Sequence, residues 1–478
     1  MAKYTHQLGK STKPPAYRFT PASTPVSPQH CKSRGSSSNS IIATLFASEF
    51  SIEPVRLAIT VSGMIKNYGM ALLSGIALIT SAHAQTTLTL ETDVPRIIRK
   101  SQETRGTSIS LPAEVEASIG KAAQGDVIDM GSFDMEALPI VPLQQQAGGP
   151  PMLFADDPEY IRVPEAAVLR EVINPGVNRF YLYQCNGTTG TKTKISPVIE
   201  NLGDKPLHLR FMRRVFPGVT LDYGRAGKDG IREFIRPAKP VGEVVTIAPH
   251  GSEAFDKNCE TAAVATDELI HGWYEFETDQ PARITVLQTA LEVPSTVANK
   301  RIKDVLPPRS RSGAGRGYYP YSEYKVSQGA GETIDTAKGP QQIFLADGNV
   351  DRWLTGWDST SSQPIQLKGN YGVIYHIRLK RESSDGKALA LLTWNARTKS
   401  GCATMGGCTG VSAGKFGAGP VMVPTKENVL RGGDKAVLLQ VFPPSPKGKT
   451  EEIEITYTPP GASCLPTPLL LVPVAGTK

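Results

Sequence analysis

Ser412 lies in the stretch Gly410–Gly414, which fits G-x-S-x-G and would make it a nucleophile. That chemistry needs a buried strand before the serine and a helix after it, to aim the hydroxyl and supply backbone N–H groups. The flanks "CATMGGCT" and "KFGAGP" supply neither. Lys415 follows Gly414, but a phosphate-cradling loop would need glycine at 409 and serine or threonine at 416, and these are Thr409 and Phe416. Asp347, Asn349 and Asp351 alternate as in a calcium loop. A hard cation also wants a carboxylate closing the loop. Asp358 is twelfth only if Asp347 is counted first, and no glycine then falls where the loop needs one. We read a hairpin turn and expect no metal and no cofactor.

Histidines are scarce after position 84: His208, His250, His271 and His376, none spaced to share a metal with another. His271 and Glu275 are four apart, but in a strand they would not share a metal cleanly. Aromatic rings are more suggestive. Tyr318, Tyr319, Tyr321 and Tyr324 crowd one segment, and Trp353 and Trp357 follow. Flat rings beside polar groups suit sugar faces or protein partners. The competing expectation is that the tryptophans fill a core and the tyrosines pack one domain on another. Asp347, Asp351 and Asp358 could instead provide a carboxylate pair, about 5–10 Å apart, acting on an extracellular polysaccharide.

The elements that would carry these residues are mostly strands. In "PLHLRFMRR", Leu207, Leu209 and Phe211 alternate with His208, Arg210 and Met212. Tyr371, Val373, Tyr375, Ile377 and Leu379 alternate likewise, and Ile453, Ile455 and Tyr457 share one face. "RITVLQT" is apolar on both sides, so two-sided burial is expected there. "LPAEVEASIGKAAQ" reads as a short helix and "YGRAGKDGIREFI" as a helical insert. The pattern predicts an all-β chain of two Ig-like β-sandwich domains at 151–295 and 341–478. A mixed N-terminal segment and linker occupies 85–150, and a linker 296–340. "TTLTLET" is expected to be a strand.

"MIKNYGMALLSGIALITSAHAQ" from Met64 has a charged start, a short apolar run and an A-x-A site before Gln85, the layout of a secretory signal peptide. Residues 1–63 are rich in Ser, Pro and Thr and are expected to be a disordered leader from a mis-called start. Residues 1–84 carry 8 Lys+Arg against 2 Asp+Glu, so the remainder carries 44 against 43, a net charge of +1 rather than the +7 of the whole chain. No nucleic-acid partner is expected on that balance. Export makes disulfides plausible. Cys185 would pair with Cys259, and Cys402 with Cys408 across "ATMGG". Cys464 is left as a free thiol, an intermolecular partner or a competitor for the 402/408 pair.

The segments "FYLYQCNG", "VIENLGDKPLHL", "LADGNVDRWLTGWD" and "GNYGVIYHIRL" resemble uncharacterised two-domain secreted bacterial β-sandwich proteins, Gram-positive ones included. The resemblance implies export and β-architecture, and no activity. The expectation is a secreted or periplasmic, non-enzymatic binding or structural protein with no stable membrane span after signal cleavage. It would recognise a glycan or envelope protein through Tyr318, Tyr319, Tyr321, Trp353 and Trp357.

Overall fold

The computed structural model describes residues 109–237, 242–308, 315–396 and 402–476. The expected leader 1–63, the signal segment 64–84 and the strand "TTLTLET" lie outside the described residues. The chain is mostly β-strand in several sheets, with few helices. No helix among the described residues is long and apolar enough to cross a membrane.

The central element is a ten-stranded sheet. Its main path runs Val244–Ile247, Leu207–Val215, Leu269–Thr278, Gly176–Asn186, Met152–Ala155, Arg316–Tyr319, Thr355–Asp358, Gln363–Gln366. Successive side chains on a strand point to opposite faces. Phe180 and Leu182 therefore enter one apolar cluster, with Ile195, Ile199, Ile284 and Val286 of a four-stranded sheet. Tyr181, Tyr183 and Cys185 enter another, with residues of a seven-stranded and a five-stranded sheet. Burial on both faces is why "FYLYQC" reads as an unbroken apolar run.

The four-stranded sheet is ordered Ser252–Ala254, Lys194–Asn201, Ala282–Thr289, Ala166–Ile173. The five-stranded one is ordered Val127–Asp129, Lys435–Phe442, Ala388–Trp394, Thr467–Val474, Gln341–Leu345. The seven-stranded sheet includes Leu143–Gly148, Glu323–Gln328, Ile374–Glu382 and Glu451–Tyr457 as consecutive neighbours. Alternation reads through to burial where one face is wet: Leu207, Leu209 and Phe211 are buried while His208, Arg210 and Met212 are exposed.

The intervals expected to be linkers contribute strands. Val127–Asp129 pairs with the strand Lys435–Phe442, and Leu143–Gly148 pairs with Glu323–Gln328. Arg316–Tyr319 joins Met152–Ala155 to the strand of Trp357. The helix Tyr223–Ile235 starts where the Asp222 carboxylate accepts the Arg225 N–H. It buries Ile231 and Phe234, and the Phe234 ring stacks on Trp273 at 3.8 Å.

The expected cysteine pairing is corrected. Cys402 is bonded to Cys464, and Cys185, Cys259 and Cys408 are buried free thiols. Cys185 and Cys259 lie in clusters on opposite faces of the ten-stranded sheet, so the sheet separates them. Cys408 points into the core from the strand Gly407–Val411. The observed bridge spans 62 residues and restricts the unfolded chain by about 4 kcal/mol on loop entropy.

Candidate functional site

The expected aromatic group divides. Tyr318 and Tyr319 are consecutive on one strand, so they face opposite ways. Tyr319 is fully buried, edge-to-face with Phe154, and is a core residue rather than a surface one. Trp353 is half-buried and folds over its own loop: Gly348, at φ +74°, lies so close to the indole that a Cβ there would be 2.4 Å from it. Tyr321 is exposed, two residues beyond the strand in the segment leading to Glu323–Gln328.

Tyr318 and Trp357 remain together. They are register partners on adjacent antiparallel strands, and the next partner of Trp357 is Pro364 on the edge strand Gln363–Gln366. Trp357 is 47 % exposed, while Tyr318 is half-buried against the cluster under the four-stranded sheet. That sheet stops at Ala166–Ile173, whereas the ten-stranded sheet continues two strands past Arg316–Tyr319. The outer strands form an overhang with a large ring on it. Gly317, at φ +126°, permits the close approach there, since a Cβ would meet the Trp357 carbonyl at 2.4 Å.

The overhang rests on a charged, dry base. Arg316 and Asp358 are 1 % and 2 % exposed and 3.3 Å apart. Arg316 Nη1 also donates to the carbonyls of Asp157, Val168 and Leu306. Its Nη2 is buried without a partner among the described residues. Glu171 accepts from the Ser359 N–H at 2.8 Å and from its hydroxyl at 2.5 Å. Burial raises the Glu171 carboxyl, the Ser359 bonds lower it, and the neighbouring Asp358 adds to the rise. Sequence reasoning missed Arg316, Glu171, Ser359 and Pro364. No local pattern marks them, because separate strands bring them together, Glu171 from 188 residues before Ser359.

The three carboxylates considered for catalysis are each engaged separately. Asp347 accepts from the N–H groups of Asn349, Val350 and Asp351, which makes the hairpin. Asp351 is buried, accepting from the Tyr375 hydroxyl at 2.6 Å, the Ala346 N–H and Gln145. Burial raises its carboxyl. Asp358 holds Arg316. No group of three potential metal ligands occurs among the described residues.

Ser412 follows a strand but precedes no helix, and its hydroxyl accepts the Glu454 N–H. Lys415 donates to the Gly120 carbonyl. His271 is buried between Tyr181 and Tyr183, with Nδ1 2.8 Å from the Leu182 carbonyl, and burial lowers its pKa to about 4. Glu275, four residues on, is bonded to Arg179 instead.

No family model matches the chain. No curated protein matches it either. Among solved structures, an 11S globulin from Wrightia tinctoria aligns at 12 % identity over 70 % of this chain and 84 % of its own, with a TM-score of 0.10. Vicilin from Capsicum annuum aligns at 8 % identity over 64 % and 75 %, again at 0.10. Bacillus subtilis oxalate decarboxylase aligns at 8 % over 70 % and 79 %, also at 0.10. Superposition at that level carries no argument about this chain.

Proposed function

We propose that the chain is an exported, non-enzymatic binding protein of the cell envelope or extracellular space, and that the Trp357 overhang is its contact for a glycan. In this reading the sheets pair as two sandwiches, one strand group of each reaching into the other, and the cell removes residues 1–84 on export. Export is supported by the signal layout at Met64 and is compatible with the Cys402–Cys464 bridge.

The observation that carries the binding reading is a tryptophan nearly half exposed beside a half-buried tyrosine, on outer strands that extend past the end of the four-stranded sheet. A flat ring fixed in a sheet offers a sugar face apolar area at little entropic cost, because the backbone beneath it is already ordered. The buried Arg316–Asp358 pair and the Glu171–Ser359 contact hold that backbone. The catalytic alternative needs two facing carboxylates, and Asp347, Asp351 and Asp358 are each spent on internal partners.

The test is retention on a panel of insoluble and soluble polysaccharides, comparing the unaltered protein with Trp357→Ala. Binding to at least one polymer, lost in the variant, is the expected result. A variant that binds as well as the parent removes this site.

A further inference from the structure

A second site stands on the outer face of the four-stranded sheet. On Ala282–Thr289, Arg283 lies opposite Glu200 of Lys194–Asn201. On the other side Thr285 lies opposite Arg170 of Ala166–Ile173, which places the two arginines diagonally on one face. Further along that face, Val198, Leu287 and Ala167 are covered by Ala298 of the helix Ser295–Arg301. Where the helix ends, the cover stops. A pocket of about 330 Å³ opens there, with Arg170 and Arg283 from the sheet and Asn299, Lys300 and Lys303 from the helix end and the chain beyond it.

The two guanidiniums in this pocket are fixed by the fold, and the lining carries more positive than negative groups. The Arg170 guanidinium is anchored to the carbonyls of Lys303 at 2.5 Å and Ile302 at 2.8 Å, and to Thr285. Arg283 reaches Glu200 at 3.0 Å. Burial lowers the pKa of Arg170 and repulsion from Arg283 lowers it further, against the smaller opposing pull of the Glu200 and Asp304 carboxylates. Lys300 and Lys303 are exposed and form no ion pair among the described residues. Glu200 is the sole carboxylate among the lining residues, against four cations. Asn299 adds a buried side-chain oxygen with no partner among the described residues.

We propose that this pocket binds a small hydroxylated anion, a uronate or a sugar phosphate. Its negative group would be held by the two guanidiniums and Lys300 or Lys303, while a hydroxyl donates to Glu200. Planar guanidinium forks suit a carboxylate or phosphate, and an anion there removes the repulsion between Arg170 and Arg283. The Glu200 carboxylate in the lining accepts a ligand hydroxyl and repels a second negative oxygen. The inference is independent of the reading of Trp357, since the pocket and that ring involve different residues.

The experiment is calorimetric titration of the purified full chain at low salt with glucuronate, glucose 1-phosphate, glucose and inorganic phosphate. One of the two sugar anions is expected to bind saturably, at least tenfold tighter than glucose and than inorganic phosphate. Lys300→Gln together with Lys303→Gln should weaken that binding at least tenfold with the melting curve unchanged. Trp357→Ala should leave it as it is. Absence of saturable binding by both sugar anions up to about 10 mM, a concentration that detects even very weak complexes, overturns the proposal. So does a double variant that binds as the parent does, or inorganic phosphate binding as tightly as the sugars.

Discussion

Arg316 and the Arg170–Arg283 pair involve the same strand, Ala166–Ile173, yet they are built for opposite purposes. Arg316 reaches Val168 in the interior and spends its donors on three carbonyls and a carboxylate, out of contact with water. Arg170 is anchored as well, to Thr285 and the Ile302 and Lys303 carbonyls, but its charge and that of Arg283 line an open pocket beside Lys300 and Lys303, which form no ion pair among the described residues. The number of arginines says little about binding. What decides is whether the charge, once anchored by the fold, still faces an open pocket.

The comparison breaks most easily at its interior end. Arg316→Met leaves the buried Asp358 carboxylate without its cation and removes a donor from three carbonyls, and we expect a loss of about 3–5 kcal/mol in urea denaturation. A loss below about 1 kcal/mol, the range of exposed ion pairs, would mean that water reaches Asp358 and that the interior and surface arginines do not differ in kind.

His271 sharpens the interior side by pH. Its pKa in the folded chain is about 4 against 6.5 for the free group. The unfolded chain therefore takes up a proton that the folded one refuses. Stability has its full value above pH 6.5 and declines as pH falls to about 4, by up to about 1.4 kcal/mol per unit, or about 3 kcal/mol in all. In His271→Gln, denaturation between pH 7 and 4 should lack that slope. An identical slope in the two proteins would place the titrating group elsewhere.

At the outer end, Arg283→Gln should cost under about 1 kcal/mol, because its pair with Glu200 is partly exposed. Trp357→Ala should change stability least, within about 0.5 kcal/mol, as for surface positions generally. A drop of several kcal/mol there in a thermal melt would identify the ring as part of the core.

Much of the secondary structure is legible because period-two burial is local information. The alternation at Leu207–Met212 and the helix Tyr223–Ile235 need no knowledge of distant residues. The split between Tyr318 and Tyr319 was also within reach, since neighbours on a strand cannot share a face. Pairing was not. Whether Trp353 or Trp357 points to solvent depends on which strand lies beside each, and that strand is supplied from elsewhere in the chain. The cysteines show the same limit: sequence spacing favours 402 with 408, while the fold brings Cys464 back across 62 residues. The pocket cations Arg170, Arg283, Lys300 and Lys303 come from three segments, and only the last two fall in a basic run, which reads as linker.

Thr467–Val474 pairs on one side with Ala388–Trp394 and on the other with Gln341–Leu345. A middle strand that arrives more than a hundred positions after one neighbour means that the sheet cannot close while the ribosome is still making the intervening polypeptide. Long-range pairings of this kind are slow to form. The five-stranded sheet thus stays open until its last strand is made, while the four-stranded sheet, complete within residues 166–289, does not have to wait for it.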